Sequence, residues 1–247
     1  MDSWAKAPVR MMLDGTTVDI WKVVLEASAV ERECMSAILS ADEIARAGRF
    51  HFERDRHRYI SCRGALRKIL ARYLSIEATD LSFSYSEHGK PFLGDTKSTD
   101  GITFNLSHSS ATGVIAVSRN RRVGIDIEFP RQGIEMAALA RRYFSQWEAA
   151  RLESLRGEDL TAAFFSVWTR KEAYVKARGD GLSLPLGQFD VSIDPDEASL
   201  LRTRHDPDDC NRWIMKSIPV NPGSFCTLVA ESPLGRVRNW HFRFPAA

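Results

Sequence analysis

The chain has 247 residues, 44% hydrophobic and 27% charged, with a net charge of +2. That is enough for one large domain or two compact halves with a core, and so balanced a charge argues against a general nucleic-acid binder. No apolar run is long enough to span a bilayer, Met1 to Asp14 lacks the apolar stretch of a signal peptide, and four scattered cysteines (Cys34, Cys62, Cys210, Cys226) without CxxC spacing suit reduced thiols in a cytoplasmic protein.

In chain order, Val18 to Leu25 reads as a strand rich in β-branched residues. Ser40-Ala41-Asp42-Glu43 is a capping-box pattern, with Leu39 as a hydrophobic staple, opening a short helix to about Gly48. Phe50 to Leu74 is a longer helical stretch. Leu81 to Tyr85, Ile102 to Leu106 and Gly113 to Ser118 are strand patterns, with turns at Glu87 to Pro91 and Asn120 to Arg122. Val123 to Glu128 is again a strand. Ser145-Gln146-Trp147-Glu148 is a second capping box preceded by Phe144. Thr161 to Arg178 is a long helix stopped by Gly179 and Gly181. Trp213 to Ile218, Phe225 to Ala230 and Val237 to Phe244 close the chain as strands.

Val18 to Val123 and Ser40 to Ser145 are the same 105 residues apart. The spacing suggests an internal duplication of one α+β unit, with a boundary near Asn120 to Val123. The division is then 1–121 and 122–247. At that offset Asp126 and Glu128 answer to Trp21 and Val23, and Glu172 to Arg67. The first half is basic where the second is acidic. Between Arg46 and Arg72 lie nine basic residues (Arg46, Arg49, Arg54, Arg56, Arg58, Arg63, Arg67, Lys68, Arg72) opposed by only Glu53 and Asp55. Such a run is either a solvated helix face or an anion site.

The chemistry concentrates in two segments. In Gly124-Ile125-Asp126-Ile127-Glu128 the two acids share one face of a strand. In Trp168 to Lys176, Glu172 and Lys176 stand four apart on a helix and continue a stripe begun by Phe164 and Trp168. If the faces meet, three carboxylates and an ammonium converge. An all-oxygen acidic cluster suits Mg²⁺, with Mn²⁺ also acceptable, and Mg²⁺ commonly grips phosphate oxygens. Phe104-Asn105-Leu106-Ser107-His108-Ser109 ends in small polar donors able to hold phosphate, and Lys90 in Gly89-Lys90-Pro91 is placed to meet an anion.

Together these segments, with Gly179 to Leu186 after them, resemble the 4′-phosphopantetheinyl transferase superfamily, most closely its larger, monomeric, two-repeat type. The resemblance covers roughly Arg46 to Leu186. It implies an α+β fold of two similar subdomains related by a pseudo-twofold, with coenzyme A in the cleft between them. It implies transfer of phosphopantetheine from coenzyme A to a serine of an apo acyl or peptidyl carrier protein, with 3′,5′-ADP released. Asp126, Glu128 and Glu172 match the family's magnesium site, and Lys176 its pyrophosphate-contacting lysine with a part in proton transfer. Asp126, Glu172 and Lys176 are thus the expected catalytic residues. Asn105, Ser107, His108 and Lys90 match coenzyme-binding positions, while Arg46 and Arg58 resemble basic residues around the adenosine end, in the basic N-terminal half. The residues alone leave two other readings open: a metal-dependent phosphodiesterase or nuclease, and a non-catalytic module that binds coenzyme A or a carrier.

Overall fold

The computed structural model describes residues 4–94, 99–179 and 181–244. Asp180, within the Gly179 to Leu186 segment, and Met1 to Ser3 lie outside them. The elements are β1 (Ala5–Lys6), β2 (Thr17–Val24), α1 (Ala29–Ser36), α2 (Ala41–Ala47), α3 (Glu53–Leu74), β3 (Phe83–Tyr85), β4 (Pro91–Leu93), β5 (Ile102–Ser109), β6 (Thr112–Arg119), β7 (Val123–Glu128), α4 (Met136–Tyr143), α5 (Gln146–Glu153), α6 (Gly157–Arg178), β8 (Phe189–Val191), β9 (Leu200–Thr203), α7 (Asp209–Arg212), β10 (Trp213–Ser217), β11 (Phe225–Glu231) and β12 (Arg236–Phe242). The fold is α+β. Among the described residues no helix is long and apolar enough to cross a membrane.

The element order repeats. A strand, two short helices, a 22-residue helix and four strands run from β2 to β6, and the same series runs from β7 to β11, with α7 inserted before β10. The short capped helices keep the spacing of Ser40 to Ser145, but the long helices start at Glu53 and Gly157, an offset of 104. Arg67 therefore shares its helical position with Lys171, not with Glu172 as the uniform spacing suggested. Each of these cations is buried against the capping-box glutamate of its own half. Arg67 Nε meets Glu43 Oε2 at 2.7 Å, and Lys171 Nζ meets Glu148 Oε2 at 2.8 Å. Each also donates to two backbone carbonyls downstream, Ala78 and Leu81 for Arg67, Leu186 and Phe189 for Lys171. Those bonds answer the desolvation that makes a lone buried charge so costly. The basic run is accordingly not one solvated face: Arg63 and Arg67 are buried on Glu43.

Two sheets stack. One has the order β1-β12-β2-β6-β5, the other β10-β11-β7. Strand alternation divides the side chains between cores. Val18 and Ile20 of β2, with Val114 and Ala116 of β6, face Val123, Ile125 and Ile127 of β7 and Leu228 and Ala230 of β11. Trp21, Val23, Ile115 and Val117 point the other way, beneath Leu66, Ile69 and Leu70 of α3. Helix α6 covers the outer face of the second sheet with Phe164, Val167 and Tyr174. β12 is not an appendage of the second half, for it pairs in parallel with β2 inside the first sheet.

The strand readings hold with shifted ends. β5 runs on to Ser109, and α6 begins at Gly157, four residues before Thr161. The pattern missed β1, α1, α4, α7, β4, β8 and β9. α1 carries its own capping box, Ser28 with Glu31, followed by too few apolar residues to announce a helix.

Candidate active site

The odd residues of β7 are spent on the inter-sheet core, so Gly124, Asp126 and Glu128 face α6. Gly124 has no side chain because the helix leaves no room for one. A Cβ there would stand 2.9 Å from Ala177 Cα and nearer still to Ala173 O and Ala177 N. This close approach lays α6 across the strand and brings its cleft-facing residues onto the acids. Lys176 Nζ meets Asp126 Oδ1 at 2.6 Å and the carbonyl of Ile125 at 3.4 Å. Arg170, Tyr174 and Arg178 of α6 fasten the helix elsewhere. Arg170 donates to Ser192 and Pro195 carbonyls, and Tyr174 OH and Arg178 both reach Asp209.

β5 supplies the opposite wall, and its polar residues lie within the strand. Asn105 Oδ1 accepts the Ile125 N–H at 2.8 Å, Ser107 Oγ donates to Asp126 Oδ1 at 2.8 Å, and Ser109 Oγ donates to Glu128 Oε2 at 2.8 Å. A carboxylate can only accept and an ammonium only donate. The hydroxyl of Ser107 thus gives its hydrogen to Asp126 and receives Lys176 at 3.2 Å.

Asp126 is 4% exposed, and its Oδ2 is buried without a hydrogen-bond partner among the described residues. Burial, together with the negative charges of Asp126 and Glu128, pushes the Glu172 carboxyl up, with Lys176 opposing. Asp126 and Glu128 are thus near enough for their charges to act on Glu172. Among the described residues no three His, Cys, Asp or Glu side chains close into a ready metal cage; Lys176 stands in the acidic site instead. The donor set still fits a hard divalent cation. It is all oxygen, one buried oxygen has no partner, and the mutual repulsion is what such an ion would relieve.

These residues line one cavity of about 1260 Å³ between the halves. Arg46, Arg63, Tyr59 and Tyr85 form one side, with Arg46 5.9 Å from the Tyr59 ring and 5.8 Å from that of Tyr85. Tyr143, Phe144, Trp168 and Leu184 to Gly187 form an apolar side. His108 lines the cavity, and burial, then the charges of Lys176 and Arg58, hold its imidazole below the usual range. Lys90 also lines it, its ammonium donating to the carbonyl of Lys176 at the C-terminal end of α6. Burial, with Arg122 and Lys176 nearby, lowers the Lys90 pKa to about 8. Arg58 does not line this cavity among the described residues. It borders a smaller one of about 340 Å³, where Glu26 lies 3.4 Å away.

Sequence reasoning missed the aromatic lining of Tyr59 and Tyr85 and the bond from Ser109 to Glu128. The last was legible as a period, since Asn105, Ser107 and Ser109 alternate against Ile125 to Glu128.

Residues 122–229 match the 4′-phosphopantetheinyl transferase superfamily, and residues 26–120 match the N-terminal family of 4′-phosphopantetheinyl transferases. The 4′-phosphopantetheinyl transferase HetI of Nostoc sp. strain PCC 7120 is 39% identical over 201 residues, 81% of this chain and 84% of the relative. The 4′-phosphopantetheinyl transferase Sfp of Bacillus subtilis is 30% identical over 83% of this chain and 88% of its own length. The 4′-phosphopantetheinyl transferase psf-1 of Bacillus pumilus is 30% identical over 84% of this chain and 91% of the relative. The chain belongs to the 4′-phosphopantetheinyl transferase superfamily.

Proposed function

We propose that this protein transfers the 4′-phosphopantetheine group of coenzyme A to a serine hydroxyl of an apo acyl or peptidyl carrier protein, releasing 3′,5′-ADP, with Mg²⁺ or Mn²⁺ held by Asp126, Glu128 and Glu172. The observation that carries the reading is one cavity lined both by the carboxylates Asp126, Glu128 and Glu172 with Lys176 and by the cations Arg46, Arg63 and Lys90. Its family membership supports the same reaction. The repeated element order from β2 to β11 supports two halves meeting near residue 121, with residues 236–242 returning to the sheet of the first, and four free cysteines suit a cytoplasmic enzyme.

The serine oxygen attacks the β-phosphorus of the coenzyme. The new P–O bond forms as the bond to the departing 3′,5′-ADP breaks. A bound divalent ion supplies neutralisation of the charge spreading over the phosphate oxygens. Glu172, which lines the cavity, or a water held beside it takes the serine proton. Lys176 is a cation drawn to the developing negative charge. Asn105, Ser107 and His108 set the β5 wall against which the phosphates lie. Lys90 and Arg46, both lining the cavity, bring positive charge to the coenzyme's remaining phosphates, whereas Arg58, turned to Glu26 in the smaller cavity, does not.

The test is mass spectrometry of an apo carrier protein incubated with coenzyme A, Mg²⁺ and this protein. A covalent phosphopantetheine on serine is expected, and Glu172→Gln should abolish it with the fold intact. An unmodified carrier despite tight coenzyme binding would turn the protein into a binding module, and release of nucleotides from added nucleic acid would favour a nuclease.

A further inference from the structure

β5 and β7 are edge strands of different sheets and share no backbone ladder among the described residues. Their alignment comes from side chains at every second position of β5: Asn105 to the Ile125 N–H, Ser107 to Asp126 and Ser109 to Glu128. The three differ in what else they meet. Asn105 and Ser107 line the cavity, whereas Ser109 does not. Ser109 is 4% exposed, and its oxygen faces β7 only. It has one hydrogen, which the Glu128 carboxylate takes at 2.8 Å, and its lone pair receives the Phe129 N–H at 3.3 Å. The hydroxyl is therefore fixed in rotation from both sides, and its one hydrogen is not left for a ligand.

The same Glu128 oxygen has a competitor. Arg131 Nη2 lies 3.5 Å from Oε2, and the Arg131 side chain is 71% exposed. An exposed guanidinium three residues on would draw the carboxylate outward, toward water. We infer that Ser109 is a positioning residue for Glu128: across the seam between the two halves, its hydroxyl holds that carboxylate on the cavity side against Arg131 and so sets the site's affinity for a divalent cation. The inference rests on the reading of Glu128 as a cation ligand.

The experiment titrates Mn²⁺ into the full-length protein and reads the free ion by electron paramagnetic resonance. Removing an outer partner of a ligating carboxylate weakens metal binding about tenfold or more, so Ser109→Ala should raise the Mn²⁺ Kd about tenfold. Ser109→Thr, which returns the hydroxyl, should restore most of it. If alanine loosens the seam too far for folding, Ser109→Cys keeps the volume with a much weaker donor and should still cost at least about threefold. In a Glu128→Gln background, Ser109→Ala should cost nothing further, because the group it acts through is gone. A purely structural serine would cost as much there as in the parent, and that result overturns the inference. It is also overturned if Ser109→Ala binds Mn²⁺ within twofold of the parent while Glu128→Gln does not. A Glu128→Gln protein with parental Mn²⁺ affinity instead removes the ligand reading beneath it, and the inference falls with that reading.

Discussion

Gly124→Ala tests the packing on which the site depends. The added methyl would lie 2.9 Å from Ala177 Cα and closer to Ala173 O and Ala177 N, all of them backbone atoms of α6. None can swing aside as a flexible side chain would. Carbon atoms rest at about 3.5 to 4.0 Å, so strand and helix must separate by roughly 1 Å. Overpacking of this kind costs about 1–3 kcal/mol of stability. The separation falls on Lys176 Nζ and Asp126 Oδ1, now 2.6 Å apart, and moves Glu172 with them. A misplacement near 1 Å costs on the order of 100-fold in rate. Carrier modification followed by mass spectrometry should therefore show kcat/KM down about 100-fold in a protein that still melts cooperatively. A Gly124→Ala enzyme within threefold of the parent would refute the claim that this close approach assembles the site.

Lys171→Met should destabilise by about 3–5 kcal/mol in urea melts, because it strands Glu148 with its charge fully buried; a loss under about 1 kcal/mol would deny the pair its structural role. With its pKa lowered to about 8, Lys90 is cationic below that value and loses its charge as pH rises through it. Calorimetric affinity for 3′,5′-ADP should accordingly fall between pH 7 and 9, and Lys90→Ala should flatten that dependence; an equal slope in both proteins would contradict it. Burial works to raise the Asp209 carboxyl, but hydrogen bonds from Tyr174, Trp213 and Arg178 outweigh it and hold the group below the usual carboxylate range. Its folded-state pKa is thus depressed, so its contribution is present above the unfolded value near 3.9 and is lost as pH falls through the folded one. Asp209→Asn should therefore flatten the acid limb of a stability–pH curve, and an unchanged limb would rule this out.

The site was legible where alternation or helical spacing puts chemistry on one face. Asp126 with Glu128, and Glu172 with Lys176, follow from periods of two and four, and those faces do meet. What the chain did not reveal was the partner of each group. The Arg46 to Arg72 run looked like one basic surface because spacing says nothing about a buried Glu43 folding back from the preceding helix. Lys90 looked free to meet an anion because its contact, the last turn of α6, is eighty-six residues away. The short elements α4, β8 and β9 escaped notice because each has too few residues for a period to repeat.

The position of β12 makes the first sheet depend on a segment far along the chain. Residues 236–242 fill the gap between β1 and β2, so the sheet beneath α3 stays open until that segment has been synthesised. A ribosome-bound chain ending at Glu231 would carry every active-site side chain yet expose the bare edge of β2, an invitation to aggregate. A chain truncated after Glu231 should therefore be less soluble than the full one, and equal solubility would show that the sheet does not depend on β12.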